Sequence, residues 1–313
     1  MGSANLEMGM IFLTQTGVGI LGNSFLFCFT LLAEHKLRLT DLIINQLVLA
    51  NNFVLFSKGI LQTVAAFGLK FFLHDAGCKF VFYLHRVGRE VSLSTTSLLS
   101  SFQAIKLNSS FSRWMEPRIR SPKCIGFCCF LCWILHLLAN TYIPMRVTGQ
   151  VRRKNISLKR FGYCSLTIQD SSIVSVFTVT YVFVDMIFLG LMVWASGSMV
   201  LVLHRHKQQV HHIHSHSLSP RPSHEARATH AILVLVSAFV SFYSVSSILT
   251  LCFTLIVNPS QWLVDTSVLM AACFPAFSPF VLISSDTRVS RFSLTCWTKK
   301  TFFSNLVKQL QVF

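Results

Sequence analysis

Residues Tyr83–Glu90 read YLHRVGRE and bring two arginines, a histidine and a glutamate into a run that is otherwise apolar or small. The whole run, GCKFVFYLHRVGREVSLSTTSLLSSFQAIKL, covers residues 77–107 and is long enough for a helix that crosses a membrane. Charged side chains are costly inside a bilayer, so they normally face the interior of a helix bundle and pair there. The stretch therefore predicts a helix that lies inside a bundle of membrane-spanning helices.

The composition is that of a membrane protein. Of 313 residues, 52% are hydrophobic and only 12% are charged, whereas about a quarter of the residues of a soluble domain are charged. The mean hydropathy of +0.58 agrees with this. The formal net charge of +16 does not indicate nucleic-acid binding, because the basic residues fall mostly between apolar segments. There, positive charge reports membrane topology and contact with anionic lipid.

Seven segments have the length and apolar character of membrane-spanning helices. They cover residues 8–33, 41–67, 77–106, 122–145, 172–203, 229–257 and 262–285. The first lacks a cleavage-site signature and a basic leader, so we expect a retained span rather than a signal peptide. The predicted fold class is an all-α bundle of seven transmembrane helices over residues 1–286. A cytosolic tail, residues 287–313, follows it, and its first part is a candidate for a short amphipathic helix.

The basic residues orient this bundle. With the N-terminus outside and the C-terminus in the cytosol, 16 lysines and arginines lie on the inner side and 7 on the outer side. The positive-inside rule favours that arrangement, although the second outer loop carries six of the seven outer residues. We therefore expect a multi-pass protein of the plasma membrane.

Only two of the ten cysteines lie clearly at the oxidising outer face in this topology. Cys78 begins the third span and Cys164 lies late in the second outer loop, so a disulfide between them is predicted to hold that loop over the bundle. The same loop carries Asn155 in the sequon NIS, which predicts N-glycosylation. Cys124, Cys128 and Cys132 form a stripe on the fourth span, which we interpret as small packing residues rather than a metal site.

Several positions resemble the characteristic sequence motifs of rhodopsin-like G-protein-coupled receptors. Gly22-Asn23 resembles the Gly-Asn pair of the first helix, and Trp133 matches the Trp of the fourth. Three other positions depart from the usual pattern. Asn51 replaces a sodium-binding Asp, Gln103 replaces the Arg of the Asp-Arg-Tyr triplet, and Ser278-Pro279 replaces Asn-Pro in the seventh helix.

These departures occur together in one group. The strings TDLIINQLVLANN, GCKFVFYLHRVGREVSLSTTSLLSSFQAI, LSPRPSHEARATHAILVLVSAFVSFY and CFPAFSPFVLISSD are similar to those of vomeronasal type-1 receptors, and the resemblance covers residues 8–292. It implies a receptor for small volatile or steroid-like pheromones that activates an inhibitory-type heterotrimeric G protein. It also implies a disulfide between Cys78 and Cys164 and contact with membrane lipid, but no cofactor and no nucleic acid. Oligomeric state is left open.

The charged residues of the third span allow two interpretations. Arg86 and Glu90 share one helix face, and His85 and Arg89 share a neighbouring one, because each pair is four residues apart. Asp185 lies at a similar depth in the fifth span. One interpretation is a ligand pocket lined by His85, Arg86, Arg89 and Asp185. The other is a structural network of Arg86–Glu90 and Arg89–Asp185 pairs between the third and fifth helices.

The mechanism expected of such a bundle is a shift between two helix packings that opens an inner cleft. Since Gln103 carries no charge, the usual ionic latch on the inner side is absent, and we expect packing to hold the inactive state. Gln103, Ser278 and Pro279 are the candidate switch residues. The sequence has no nucleophile–base constellation and no Walker-type loop, so an enzyme is not expected.

Three alternatives compete with this interpretation. A transporter or channel of seven spans needs a continuous polar route across the bilayer, but the charges here cluster at one depth. A bitter-taste-like receptor is a rival of the same class, and the strings HRVGRE and SPRP favour the vomeronasal group over it. The third is a copy that no longer functions.

Overall fold

The computed structural model describes residues 3–32, 38–68, 74–108, 121–148, 158–161, 164–167, 172–213, 224–255, 260–286 and 288. Nine α-helices and three short strands lie in this part of the chain. The helices are α1 Ser3–Leu32, α2 Leu39–Val54, α3 Ile60–Ala66, α4 Asp75–Leu107, α5 Pro122–Ala139, α6 Ile143–Arg146, α7 Ser172–Ile213, α8 His224–Leu255 and α9 Gln261–Ser285.

Six stretches of the described chain are long and apolar enough to cross a membrane. They are Leu6–Leu31, Leu39–Ala66, Pro122–Met145, Phe183–Arg205, Ala226–Leu249 and Trp262–Ser285. Large apolar side chains such as Leu21, Phe127 and Phe183 are exposed on them. A helix bundle with exposed apolar sides is what a membrane requires, since lipid replaces water as the surrounding solvent.

Helix α4 is not one of those six, because its residues are more polar. A polar helix is tolerated here because much of α4 is buried among other helices and does not face lipid. Every residue from Val91 to Ser97 is buried, so this part of the helix contacts protein on all sides. Hydroxyl groups here bond the helix's own backbone, with Thr95 donating to the Val91 carbonyl at 2.6 Å and Thr96 to the Ser92 carbonyl at 2.7 Å, while Ser92 donates to Asn51 on α2. Small side chains whose hydroxyl groups bond their own helix therefore let neighbouring helices approach closely.

Helix α2 approaches α4 closely at Gly88. A Cβ built there would lie 3.0 Å from the Ala50 carbonyl oxygen and 3.1 Å from the Cβ of Phe53. A side chain at this position would push α4 away from α2 and move the charged residues on either side of it. The glycine inside the YLHRVGRE stretch thus sets the spacing between the two helices.

A π-helical turn, Leu55–Gly59, joins α2 to α3 and keeps them one continuous helix. Such turns are frequent at functional sites. Gly59 ends this turn, and a Cβ there would lie 2.7 Å from Thr16 Oγ1 on α1. The sequence pattern predicted a plain helix over 41–67, because hydropathy does not distinguish a π-turn from an α-turn.

Helix α9 contains Pro275 and Pro279, four residues apart. Pro279 has no N–H, so the carbonyl of Pro275 lacks its intrahelical donor. Asn23 on α1 replaces that donor, its Nδ2 donating to the Pro275 carbonyl at 2.8 Å. Since Asn23 is fully buried, the bond connects α1 to α9 where water is excluded.

The segment between α6 and α7 contributes to a small antiparallel sheet in the order β1–β3–β2, which the all-α prediction missed. Strands β1 Val147–Thr148, β2 Leu158–Phe161 and β3 Cys164–Thr167 pair with Val147 opposite Leu166 and Phe161 opposite Cys164. Cys164 is bonded to Cys78 at the start of α4, with the Cα atoms 5.9 Å apart. The bond brings β3 to the N-terminal end of α4. These strands are too short to show in hydropathy.

Two helices differ from the predicted segments. Helix α5 ends at Ala139 because Asn140–Tyr142 form a turn before α6, whereas the prediction ran to residue 145. Helix α7 continues to Ile213, ten residues beyond the predicted end at 203. Its last turns are basic and histidine-rich, so they continue as a helix beyond the apolar part.

We expect Asn23→Ala to destabilise the bundle, because it leaves the buried Pro275 carbonyl without a donor. An unsatisfied buried polar group costs about 1–3 kcal/mol. The check is the melting temperature of the purified receptor in detergent. Thr14→Ala is the control, since Thr14 is exposed on the same helix and bonds only backbone carbonyls of its own turn. A melting temperature equal to that of the control would contradict the assignment.

Candidate ligand-binding site

A narrow cleft, part of it open at the surface, lies between α2, α4, α8 and α9. Most of its wall is apolar and aromatic, with a few polar groups, as is common for small-molecule sites. The lining residues are Val54, Arg89, Ser92, Phe239, Phe242, Tyr243, Ser246, Met270, Ala271, Phe274 and Pro275. Phe239 packs edge-on against Phe274, with ring centres 4.6 Å apart.

Arg89 is the charged residue of this wall. Its guanidinium lies 4.4 Å from the centre of the Tyr243 ring, and one of its N–H groups donates to Ser247 Oγ at 3.0 Å. Tyr243 in turn donates its hydroxyl to Asp185 on α7. The predicted link between Arg89 and Asp185 is therefore indirect, and Tyr243 on α8 lies between them.

Arg86 and Glu90 lie on another side of α4. Glu90 is fully buried, and its Oε1 lies 2.7 Å from Arg86 Nε. Its Oε2 accepts a hydrogen bond from Asn140 Nδ2 at 2.6 Å and lies 3.3 Å from His136 Nδ1. Because His136 is on α5 and Asn140 directly follows that helix, Glu90 connects α4 to α5 rather than to α7.

The four ionisable residues of the YLHRVGRE stretch thus point to different neighbours. Arg89 lines the cleft, Arg86 and Glu90 contribute to the α4–α5 contact, and His85 bonds the Val54 carbonyl of α2. Among the described residues, the cleft wall does not include His85, Arg86, Glu90 or Asp185. The interpretation as a ligand pocket therefore suits Arg89, and the interpretation as a structural network suits Arg86 and Glu90.

Beneath the cleft is a cluster of neutral polar side chains. Asn51 Nδ2 donates to Ser278 Oγ at 2.8 Å, and Asn51 Oδ1 accepts from Ser92 Oγ at 2.9 Å. Asn23 Oδ1 lies 3.4 Å from the same Asn51 amide nitrogen. The four residues come from α1, α2, α4 and α9 and are almost fully buried. The cluster joins four helices without a charge.

Near the C-terminal end of α4, Gln103 reaches α8. Its Nε2 donates to Thr229 Oγ1 at 3.1 Å, and both side chains are buried. Arg227, two residues before Thr229, donates to the Ser284 carbonyl of α9. The N-terminal end of α8 is therefore bonded to both α4 and α9.

An ion cluster at the same end was not predicted. Arg288 donates to both oxygens of Asp41 at 2.9 and 2.7 Å and also to Asp286. Hydrogen bonds to Asp41, then to Asp286, raise the pKa of Arg288. Burial acts to raise the pKa of Asp286, but the bonds from Arg288 outweigh it and the pKa lies below its usual value. No sequence signal pairs residues 41 and 288, which are far apart in the chain.

Some predicted features lie outside the described residues. Asn155 of the glycosylation sequon is one, and most of the tail after Asp286 is another. Within the described ranges, no three His, Cys, Asp or Glu side chains gather as a metal site. In the cysteine stripe, Cys124, Cys128 and Cys132 are all half-buried.

Comparison with known proteins identifies relatives of this chain. Residues 6–295 match the vomeronasal organ pheromone receptor family. The chain is 59% identical to vomeronasal type-1 receptor 1 of Homo sapiens over 311 residues, 98% of this chain and 88% of that receptor. It is 48% identical to vomeronasal type-1 receptor 4 of Homo sapiens over 297 residues, 93% and 98% of the two chains. Identity to olfactory receptor class A-like protein 1 of Danio rerio is 27% over 300 residues, 93% of each chain.

We expect Glu90→Ala to be strongly destabilising, because it leaves Arg86 without its carboxylate and Asn140 without its acceptor. Removing one partner of a buried ion pair costs about 3–5 kcal/mol. Asp75→Ala is the matched control: it breaks the Lys79–Asp75 pair, which has the same spacing on the same helix but is exposed. That change is expected to cost about 1 kcal/mol or less. Equal losses of melting temperature in the two variants would refute the structural role of Glu90.

Proposed function

The chain belongs to the vomeronasal organ pheromone receptor family, and on this premise we propose which ligands it binds and how it signals. It is a multi-pass plasma-membrane receptor of the G-protein-coupled class rather than an enzyme. Its proposed ligands are small volatile or steroid-like molecules bound in the cleft between α2, α4, α8 and α9. Its proposed partner inside the cell is an inhibitory-type heterotrimeric G protein.

The observation that carries the ligand proposal is the composition of the cleft wall. Phe239, Phe242 and Phe274 offer apolar contact area, and Arg89 with Ser246 offers polar groups at one side. An apolar ligand with one or two hydrogen-bonding atoms suits such a wall, because apolar contact provides affinity and the polar groups fix orientation.

Seven spans with the N-terminus outside are proposed for the topology, over a receptor domain of residues 1–286. The seventh span is α4: at 33 residues it is about 50 Å long, enough to cross a bilayer. Its polar residues are compatible with a span that is buried among the other helices and does not contact lipid. The disulfide-linked sheet lies at one end of α4, and Gln103 lies near the other. The first end suits the oxidising outer side. A cytosolic tail over residues 287–313 and N-glycosylation of Asn155 are proposed from the sequence alone.

Signalling is proposed to follow a population shift. A ligand that binds a second packing of the helices more tightly increases its share, and the inner ends then separate to admit the G protein. Gln103, Ser278 and Pro279 are the proposed switch residues. Their contacts are neutral, so the resting packing is held by hydrogen bonds and apolar contacts on the α4–α8 side.

The ligand site is tested by screening cells that carry the surface receptor and an inhibitory-type G protein against volatile and steroid-like compounds. For a compound that activates, we expect Met270→Ala to raise the half-maximal concentration about tenfold, because a buried apolar contact is lost. Met186→Ala is the matched control, since Met186 is exposed on the apolar surface of α7. Equal potency in the two variants would place the ligand elsewhere. No response from any compound at confirmed surface expression would count against the proposed ligand class.

The switch role of Gln103 has a separate test. Gln103→Ala removes a buried hydrogen bond of about 1 kcal/mol, so ligand-free nucleotide exchange is expected to rise about fivefold. Exchange is measured on purified heterotrimer at equal receptor density, with Ser237→Ala as the control because Ser237 is exposed and bonds only its own helix. Unchanged basal and ligand-evoked exchange would exclude a switching role for Gln103.

A further inference from the structure

Arg288 forms a charged contact between the N-terminal end of α2 and the chain that follows α9. Its two terminal nitrogens donate to the two carboxylate oxygens of Asp41 at 2.9 and 2.7 Å. Its Nε and one terminal nitrogen also donate to Asp286, at 3.2 and 2.7 Å. Two parallel bonds between a guanidinium and a carboxylate are stronger and more exact in geometry than one neutral bond. The contact therefore fixes the position of Arg288 relative to α2.

The other partner, Asp41, is almost completely buried. It lies in the first turn of α2, where its Oδ2 also accepts the backbone N–H of Arg38 at 3.0 Å. Among the described residues, the salt-bridge partner of Asp41 is Arg288. A buried carboxylate that loses its cation is costly, because neither water nor another charge replaces it. Burial of Asp41 thus favours a closed contact with Arg288.

Helices α2 and α9 are joined at two levels. Asn51 on α2 donates to Ser278 on α9 at 2.8 Å. Asp41 lies about three turns before Asn51 on the same helix, and it binds Arg288, which follows Ser278 by a similar length of chain. The first of these contacts is neutral and the second is charged. The last part of α9 is therefore held to α2 at both of its ends.

This last part of α9 begins at an interruption of the helix. Because Pro279 has no N–H, the Pro275 carbonyl is bonded by Asn23 and not by its own helix. Sharp bends in helices occur mostly at such prolines. At the C-terminal end, Arg227 of α8 donates to the Ser284 carbonyl. A change in the direction of this segment requires that its contacts with α2 and α8 at that end be released.

We propose that the Asp41–Arg288 ion pair is a latch that holds the C-terminal end of α9 against α2 in the resting receptor and opens when the helices repack for signalling. The contact of Gln103 with α8 is neutral, so the charged contact at this end of the bundle lies between α2 and α9. Opening during signalling rests on the proposed function, whereas the closed latch is a property of the ligand-free receptor. Asp41 and Arg288 are positioning residues, because they act through α9.

The closed latch is tested by hydrogen–deuterium exchange of the ligand-free full-length receptor in a neutral detergent. Mass spectrometry follows the backbone amides of Phe280–Ser285, which exchange when this segment opens locally. Asp41→Asn removes the charge and keeps an oxygen that accepts the Arg38 N–H. We expect amide exchange of the segment to rise about tenfold, because a bond between charged groups is lost. Exchange over Val91–Ser97 of α4 is expected to stay at the wild-type rate.

Asp286→Asn is the matched control. Asp286 belongs to the same cluster, but its bonds to Arg288 stay within the chain after α9 and do not reach α2. The asparagine also keeps an oxygen for the backbone N–H of Arg288, which Asp286 accepts at 2.9 Å. Amide exchange of Phe280–Ser285 is therefore expected at the wild-type rate.

A second variant, Arg288→Lys, keeps the positive charge and loses the forked geometry. Its amide exchange over Phe280–Ser285 is expected to lie between those of the wild type and Asp41→Asn. This variant decides the matter if Asp41→Asn yields no folded receptor, because it leaves Asp41 with a cation. Exchange at the wild-type rate in Arg288→Lys would then count against the latch.

Release of the latch is tested by ligand-free nucleotide exchange on purified inhibitory-type heterotrimer at equal density of folded receptor. We expect Asp41→Asn to raise the rate about fivefold, which corresponds to about 1 kcal/mol, and Asp286→Asn to leave it unchanged. A contact that only stabilises the fold would change the yield of receptor and not this rate.

The outcomes are separable. Equal amide exchange of Phe280–Ser285 in the wild type and Asp41→Asn would overturn the latch, and so would an equal rise over Val91–Ser97, which indicates general loosening. Faster amide exchange with an unchanged nucleotide-exchange rate, in a receptor whose wild type responds to a ligand, would overturn its release in signalling. A wild type that never activates the heterotrimer would count against the proposed G protein, and amide exchange would still decide the closed latch.

Discussion

The middle of helix α4, Val91–Ser97, is surrounded by protein, and each polar group there must find a partner in the protein because no water or lipid headgroup is available. This constraint explains its residues. Where neighbouring helices are close, α4 carries glycine, serine and threonine, and hydroxyls such as those of Thr95 and Thr96 bond the backbone of their own helix. Of its charges, Arg89 contacts α8, and Glu90 contacts Asn140 as well as Arg86 of its own helix. Most of the large apolar side chains that are exposed in the described residues belong to the other long helices.

Buried polar contacts consequently connect the helices. Asn23 completes the bonding of a proline-interrupted α9, and Asn51 connects α2 to α9 and α4. Lipid provides no hydrophobic force that drives one apolar helix against another, so hydrogen bonds and close packing determine which faces meet. A cluster built from neutral groups has a further property: it can rearrange without leaving an unpaired charge inside the bundle. That property suits a receptor that changes between packings.

The cleft wall and the polar network use the same stretch of α4 in different ways. Arg89 and Glu90 are adjacent in sequence, and the helix turns about 100° between them, so one lines the cleft and the other contacts α5. Tyr243 touches Arg89 on one side and Asp185 on the other, which ties three helices together beside the cleft. A molecule in the cleft therefore meets residues that also hold α4, α7 and α8 together.

The helical segments, the membrane character and the outer pair of cysteines could be predicted from the sequence, because hydropathy and the spacing of charges are local properties. The family could be recognised in the same way from its long strings. The pairing of Arg86 with Glu90 also followed from their spacing on one helix. The partners of the charged residues on other helices could not be predicted: Glu90 also contacts Asn140, and Arg288 contacts Asp41 across nearly the whole chain. Which face of a helix meets which neighbour depends on helix rotation and close approach at positions such as Gly88. Those are decided only when all the helices pack together and each buried polar group must find a partner.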